Sequence, residues 1–323
     1  MSQHQGTKAV LAAMAANIAI ACMKFLAWLV TGAASMLAEA IHSVADSANQ
    51  ILILLGGRAS KKGPTELHPF GFGRERYLSA FLVAIILFSM GGLFACYEAY
   101  HKFIEVRSGH PNELLASRWW WVPVVVLVAA IVAESFSLRT AIREARPAKG
   151  DLSWPRFIHK AKAPELPVIL LEDTAALTGL GLALLGVGMT LLTGSGYWDA
   201  AGTAGIGVLL VVVAVLLAVE TQSLLIGESA TPEQVQAVTA AVESTAGVQG
   251  IIHMKTVHLG PDEVLVAAKI AIDPTVSGVR LAQIIDAAEA NVRRASDLVG
   301  PVYLEPDVRH DETVADPTSL KEA

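Results

Sequence analysis

Six stretches of about twenty residues, each nearly free of charge, set the limits on what this chain can become. They run over about Lys8–Val30, Ala34–Gly56, Tyr77–Tyr100, Trp119–Leu138, Pro167–Leu192 and Ala200–Val219. A bilayer core about 30 Å thick needs roughly 20 mostly apolar residues to span it as a helix. One such run alone reads equally well as a buried core helix, but six in succession predict a membrane bundle. The first run lacks a clear basic start and a cleavage site, and a second follows within a few residues. It therefore reads as a span and not as a cleaved leader. Only 17% of residues are charged and 53% are hydrophobic, against about 25% charged in soluble domains. That excludes an ordinary cytosolic enzyme and a disordered chain.

Charge divides the chain. Residues 228–323 hold 7 Lys+Arg against 15 Asp+Glu, a net of -8, which leaves +2 for residues 1–227 of the chain's -6. The shift near Gly227 predicts a membrane domain over 1–227, a polar cytoplasmic domain over 228–310 and a disordered tail over 311–323. An acidic chain without basic stripes is not a nucleic-acid partner; its partners are membrane lipid and small cations. Cys22 and Cys96 lie in apolar runs and form neither a disulfide framework nor a CxxC metal spacing.

Basic residues orient the spans. Arg58, Lys61, Lys62, Arg74 and Arg76 follow span 2. Arg139, Arg143, Arg146, Lys149, Arg156, Lys160 and Lys162 follow span 4. The opposite side carries only Lys102, Arg107 and Arg118. The positive-inside rule then puts both termini in the cytoplasm, and short loops suggest a bacterial inner membrane. Trp119, Trp120 and Trp121, with Tyr197 and Trp198, fit an aromatic belt on the outer side. Glycines in spans 5 and 6, among them Gly186 and Gly202, let helices approach closely.

Ionisable groups within spans are costly and mark function. Span 2 carries Glu39, His42 and Asp46 in "SMLAEAIHSVADSANQ". His42 and Asp46, four apart, share one helix face, and Glu39 and Asn49 continue that stripe. Span 5 carries Glu172 and Asp173 in "VILLEDTAALTG". Counted from the cytoplasmic ends, Asp46 and Asp173 both lie roughly 14–15 Å deep at 1.5 Å per residue. An imidazole and carboxylates at one level suit a divalent cation such as Zn²⁺, and protons compete for the same groups. The competing reading is a structural hydrogen-bond cluster between helices. Glu98 and Glu134 near span ends read as snorkelling to water. Lys24 lies deeper and calls for a carboxylate that the sequence does not name.

Beyond Thr231 the pattern changes. "TPEQVQAVTAAVEST" reads as a helix with a Thr cap and Pro in its first turn. "GIIHMKTVHLG" and "EVLVAAKIAI" read as strands joined at "GPDE". "SGVRLAQIIDAAEANVRRA" is an amphipathic helix, and "PVYLEPD" is a closing strand. The order αββαβ predicts a ferredoxin-like α+β sandwich with helices on one face of one sheet.

Six spans, His-xxx-Asp on span 2, an acidic span 5, the loop "HPFGFGRER" and a small acidic tail domain resemble the cation diffusion facilitator family. "EAIHSVADSANQ" and "LLEDTA" are most similar to the branch that holds a mammalian mitochondrial zinc transporter. The resemblance implies a proton-coupled antiporter exporting Zn²⁺ or a similar ion (Fe²⁺, Co²⁺, Mn²⁺), with the cation as substrate, and a homodimer joined through the cytoplasmic domain. It implies a transport site at His42, Asp46 and Asp173, with Glu39 and Asn49 behind them. Family members commonly place His or Asp four residues before that last Asp, where this chain has Ile169; Glu172 or water stands in. In the loop, His68 matches a ligand of some relatives, but Phe72 stands where another His would be, so no strong metal site is expected there. Tail histidines bind regulatory zinc in some relatives, which makes His253, Asp307 and His310 candidates here. The rival readings are an intramembrane metalloenzyme, a metal sensor without net transport, and a channel. The first lacks HExxH and any nucleophile constellation.

Overall fold

The computed structural model describes residues 3–110 and 113–309, with side-chain surroundings from residue 17 onward. His310 and the tail expected over 311–323 lie outside the described residues. The chain divides into two units, Met1–Gly63 with Arg74–Leu225, and Pro64–Gly73 with Ile226–Ala323.

The first unit is helical. Among the described residues it holds six long helices: α1 (Gln3–Thr31), α2 (Ala34–Ala59), α3 (Glu75–Arg107), α4 (Val122–Lys149), α5 (Glu165–Thr193) and α6 (Tyr197–Ile226). Four of them, α3 to α6, are long and apolar enough to cross a membrane. The expectation of six such helices is met only in part. The side-chain surroundings of α1 are described only from Asn17, so its stretch Asn17–Thr31 does not measure the apolar length of the whole helix, and α2 is made polar by the residues that form the candidate site. The core is built from Met36, Leu127, Leu180, Ile206, Leu210 and Leu217. Leu26, Leu29, Val128, Val132, Leu185, Val208 and Val212 face outward and are exposed. An apolar exterior of that extent belongs against lipid.

Two local features position α2 and α3. Ala33, at the start of α2, has no side chain able to cap the helix. Asp199 of α6 does so from a distance. It accepts from Ala34 N at 2.8 Å, Ser35 N at 3.4 Å and Ser35 Oγ at 2.5 Å, taking up backbone donors that a helix start leaves unpaired. The second feature is a π-helical stretch inside α3, Leu87–Leu93, where Gly91 lies beside His42. Such π segments interrupt α-helices mostly at functional positions. The backbones of α5 and α6 meet at Gly186 and Gly202, as the glycine pattern led us to expect. A Cβ on Gly202 would sit 2.9 Å from the Leu182 carbonyl oxygen.

The second unit is a three-stranded sheet in the order β1-β2-β3, with β1 (Val248–Gly260), β2 (Glu263–Ile272) and β3 (Val299–Asp307). β1 and β2 pair antiparallel, and β2 and β3 pair parallel. α7 (Pro232–Glu243) and α8 (Gly278–Ala295) supply Val238, Val242, Ile284, Ala288 and Val292 to one core, and β2 supplies alternate residues Val264, Val266, Ala268 and Ile270. Thr231 and Gln234 form a reciprocal capping box at the start of α7. The loop Pro64–Gly73 belongs to this unit and not to the helices beside it in sequence. Gly73 presses on the β1–β2 turn so closely that a Cβ there would lie 2.6 Å from the Leu259 carbonyl oxygen.

Candidate metal centre

The face of α2 delivers the central pair. His42 Nδ1 and Asp46 Oδ1 stand 3.6 Å apart, one turn from each other. His42 is only 1% exposed. Neither of its ring nitrogens, nor Oδ1 of Asp46, has a hydrogen-bond partner among the described residues. Buried polar atoms are nearly always bonded, so such a cluster of exceptions requires an explanation. A nitrogen and an oxygen donor left unused side by side are what a borderline divalent cation needs.

Asp46 opens onto a cavity of about 440 Å³ shared with Gln50 of α2, Glu134 and Ser137 of α4, and Glu172 and Asp173 of α5. On α5 the lining residues Ile169, Glu172, Asp173 and Ala176 repeat at i, i+3, i+4 and i+7, one helical face. Glu172 and Asp173 thus share the cavity although adjacent residues diverge by about 100°. Each is held from a different side. Asn49 Nδ2 donates to Glu172 Oε1 at 2.5 Å, and Ser137 Oγ donates to Asp173 Oδ2 at 3.0 Å. Asp46, Glu172 and Asp173 are therefore gathered around one space, with His42 one turn along α2 from Asp46. They do not converge on one point, and no three His, Cys, Asp or Glu side chains among the described residues do.

The two flanking residues separate. Asn49 orients Glu172 directly. Glu39 instead forms a buried ion pair with Lys24, Nζ to Oε2 at 2.9 Å, and the same ammonium donates to Ser43 Oγ at 2.8 Å. That supplies the partner Lys24 required. Glu134, expected to reach for water at a span end, lines the cavity. Its clue was the spacing of Glu134, Ser137, Ala141 and Glu144 on an otherwise apolar helix, all of them on the cavity wall. Asp199 also escaped the sequence reading, because the helix it caps is distant in sequence.

Outside the bundle, His68 is exposed and packs on Phe72 with ring centroids 4.6 Å apart. In the sheet, exposed His253 lies opposite Lys269. Lys269 Nζ reaches Asp307 at 3.0 Å and Glu305 at 3.2 Å. These hydrogen bonds push the Lys269 ammonium pKa above its ordinary value. A cation thus already engages Asp307. His258 is buried, with Nδ1 3.2 Å from the Gly260 carbonyl oxygen.

A cavity lined by Asp46, Glu134, Glu172 and Asp173, with a buried histidine beside Asp46 and a bundle whose exterior is apolar, defines an integral membrane protein with a candidate cation site. Residues 10–226 match the cation efflux transmembrane domain, and residues 230–299 match the cytoplasmic domain of cation efflux proteins. The chain belongs to the cation efflux family. It is 36% identical over 272 residues to the mitochondrial proton-coupled zinc antiporters SLC30A9 of Mus musculus and Homo sapiens, covering 83% of this chain and 46% of each relative. It is 24% identical over 299 residues to the cation-efflux pump FieF of Pectobacterium atrosepticum, covering 91% of both chains. The chain spans about half the length of the mammalian relatives it matches.

Proposed function

We propose that the chain is a secondary transporter that carries Zn²⁺ or a similar divalent cation (Fe²⁺, Co²⁺, Mn²⁺) out of the cytoplasm in exchange for protons. The observation that carries this reading is the buried His42–Asp46 pair with its unused donor atoms, set at a cavity that also holds Glu172 and Asp173. The cation is cargo. It enters from the cytoplasmic side, engages His42, Asp46 and Asp173 with Glu172 beside them, and displaces protons, because these ligands bind metal only when deprotonated. The separation of Glu172 and Asp173 from the α2 pair fits a protein that tightens on its cargo and then opens to the other side. A more acidic exterior reloads the ligands and favours release. The similarity to mammalian proton-coupled zinc antiporters supports both zinc and proton coupling.

In this reading all six long helices span the membrane, with both termini cytoplasmic. α2 crosses despite its polarity because its polar face turns inward. The basic loops mark the cytoplasmic side of a bacterial inner membrane, a placement resting on the short loops alone. The match of residues 230–299 supports a homodimer joined through the second unit.

The test is flux into proteoliposomes with an imposed pH gradient, across Zn²⁺, Fe²⁺, Co²⁺ and Mn²⁺. Wild type moves at least one of them with proton counterflow. Asp46→Ala and Asp173→Ala slow it by more than the roughly 10–100-fold typical of losing an outer-shell partner of a metal site. Undiminished transport by either variant means the ion binds elsewhere.

A further inference from the structure

Two interhelical hydrogen bonds fix how α2, α4 and α5 stand against one another, and they have a consequence for Glu134. Asn49–Glu172 ties α2 to α5, and Ser137–Asp173 ties α4 to the neighbouring residue of α5. Both bonds therefore lie at nearly one level. Consecutive long helices alternate in direction, so α2 and α4 run the same way and α5 runs against both. Counting three residues back from Asn49 reaches Asp46. Counting three back from Ser137 reaches Glu134. Each step rises about 4.5 Å along its helix. Asp46 and Glu134 thus stand at one depth, a turn further from the basic ends of α2 and α4 than the two bonds. Both line the same cavity.

Their neighbours differ. Glu172 and Asp173 are each held by a hydrogen-bond donor. Glu134 has neither a hydrogen bond nor an ion pair among the described residues, and it lies within electrostatic range of the Asp46 and Asp173 carboxylates and of the Lys24 ammonium. Beside Asp46 stands the His42 imidazole, 1% exposed and without a hydrogen-bond partner. A carboxylate without a hydrogen-bond partner, on one cavity with Asp46 and with the Lys24 ammonium already bonded to Glu39 and Ser43, is costly in a membrane helix unless a cation visits it. Ile169, on the same wall, contributes no donor.

We propose that Glu134 is a binding residue for the cation, closing the site from α4 opposite His42 and Asp46. This rests on the reading of the cavity as a divalent-cation site. It makes that site a meeting of three helices, with one nitrogen donor and a majority of oxygens, a set that tolerates harder ions beside Zn²⁺.

The experiment compares equilibrium Zn²⁺ binding to the purified full chain, and Zn²⁺ flux in proteoliposomes, for wild type, Asp46→Ala, Glu134→Gln, Glu134→Asp and Glu243→Gln. Glu134→Gln is expected to raise both Kd and KM at least about tenfold, the range set by losing a metal-site interaction. Glu134→Asp keeps the charge on a shorter stem and is expected to fall between it and wild type. Glu243→Gln, an exposed carboxylate of α7 in the second unit, is expected to stay within about twofold of wild type. If Glu134→Gln and Glu134→Asp bind Zn²⁺ as wild type does while Asp46→Ala does not, the role of Glu134 is overturned and the cavity reading stands. If Glu134→Gln does not fold, the Asp variant decides, and an unchanged Kd there is equally fatal. If wild type itself shows no saturable binding of Zn²⁺, Fe²⁺, Co²⁺ or Mn²⁺, the cavity reading falls and this proposal with it.

Discussion

Helix α2 buries two ionisable groupings within one turn of each other, and they are built on opposite plans. Lys24, Glu39 and Ser43 form a charge-paired set that is closed but for Glu39 Oε1, with the ammonium bonded to both a carboxylate and a hydroxyl and both charges at most 1% exposed. His42 and Asp46 form an open set, in which both ring nitrogens and Asp46 Oδ1 have no hydrogen-bond partner among the described residues. The contrast separates two reasons for placing charge in an apolar interior. A charge neutralised by its own neighbours serves the architecture. A charge left incomplete keeps a vacancy for something that arrives from outside. Sequence spacing alone puts Glu39, His42 and Asp46 on one stripe and gives no hint that the stripe changes purpose between its first and second members.

Breaking the closed set should have the largest effect on stability. Lys24→Met leaves the Glu39 carboxylate buried without its counter-ion, a loss of about 3–5 kcal/mol for a buried pair cut on one side. The thermal midpoint in detergent should fall sharply. The double replacement Lys24→Met with Glu39→Leu should recover most of it, since apolar substitutes for both members are often neutral. A double variant as unstable as the single one would show that the pair does more than balance charge. Asp199→Ala should rank next, at about 2 kcal/mol, the upper end for a lost helix cap, and it should also slow transport by displacing the N-terminal end of α2. Asp46→Leu should invert the pattern. It abolishes flux while leaving the midpoint unchanged or raised by about 1 kcal/mol, because an unsatisfied buried polar group has been removed. A steep fall in its midpoint would place Asp46 with the closed set. The smallest expected effect is that of Asn49→Ala, which frees Glu172. KM for Zn²⁺ should rise about 10-fold, the low end for an outer-shell partner, with little change in stability.

Much of this architecture was legible in residue order, and the exceptions have physical causes. Apolar run length found the helices, because the solvent of a membrane domain permits few alternatives. Alternation along β2 and the Thr231 cap with Pro232 gave the second unit, because each of those signals is local. The paired positions of His42 and Asp46 followed from helix geometry alone. What stayed hidden depends on rotation and register between helices. Glu134 faces the cavity because Ser137 engages Asp173, 36 positions away. Lys24 finds Glu39 only once α1 packs on α2. The π-helical stretch of α3 has no local signature in Leu87–Leu93 beyond two adjacent glycines. The loop Pro64–Gly73 was grouped by its neighbours in sequence, whereas its seat is set by the fit of Gly73 against the β1–β2 turn.

The cap on α2 also bears on how the protein is made. Ala34 and the Asp199 carboxylate that receives its amide are 165 positions apart. Ribosomes extend chains at about 5–20 residues per second, so roughly 8–33 s pass between the synthesis of one and the other. For that interval the second helix sits in the translocation machinery or the lipid with its leading amides unanswered. The His42–Asp46 pair it carries therefore acquires its final alignment only after the last hydrophobic segment has been delivered.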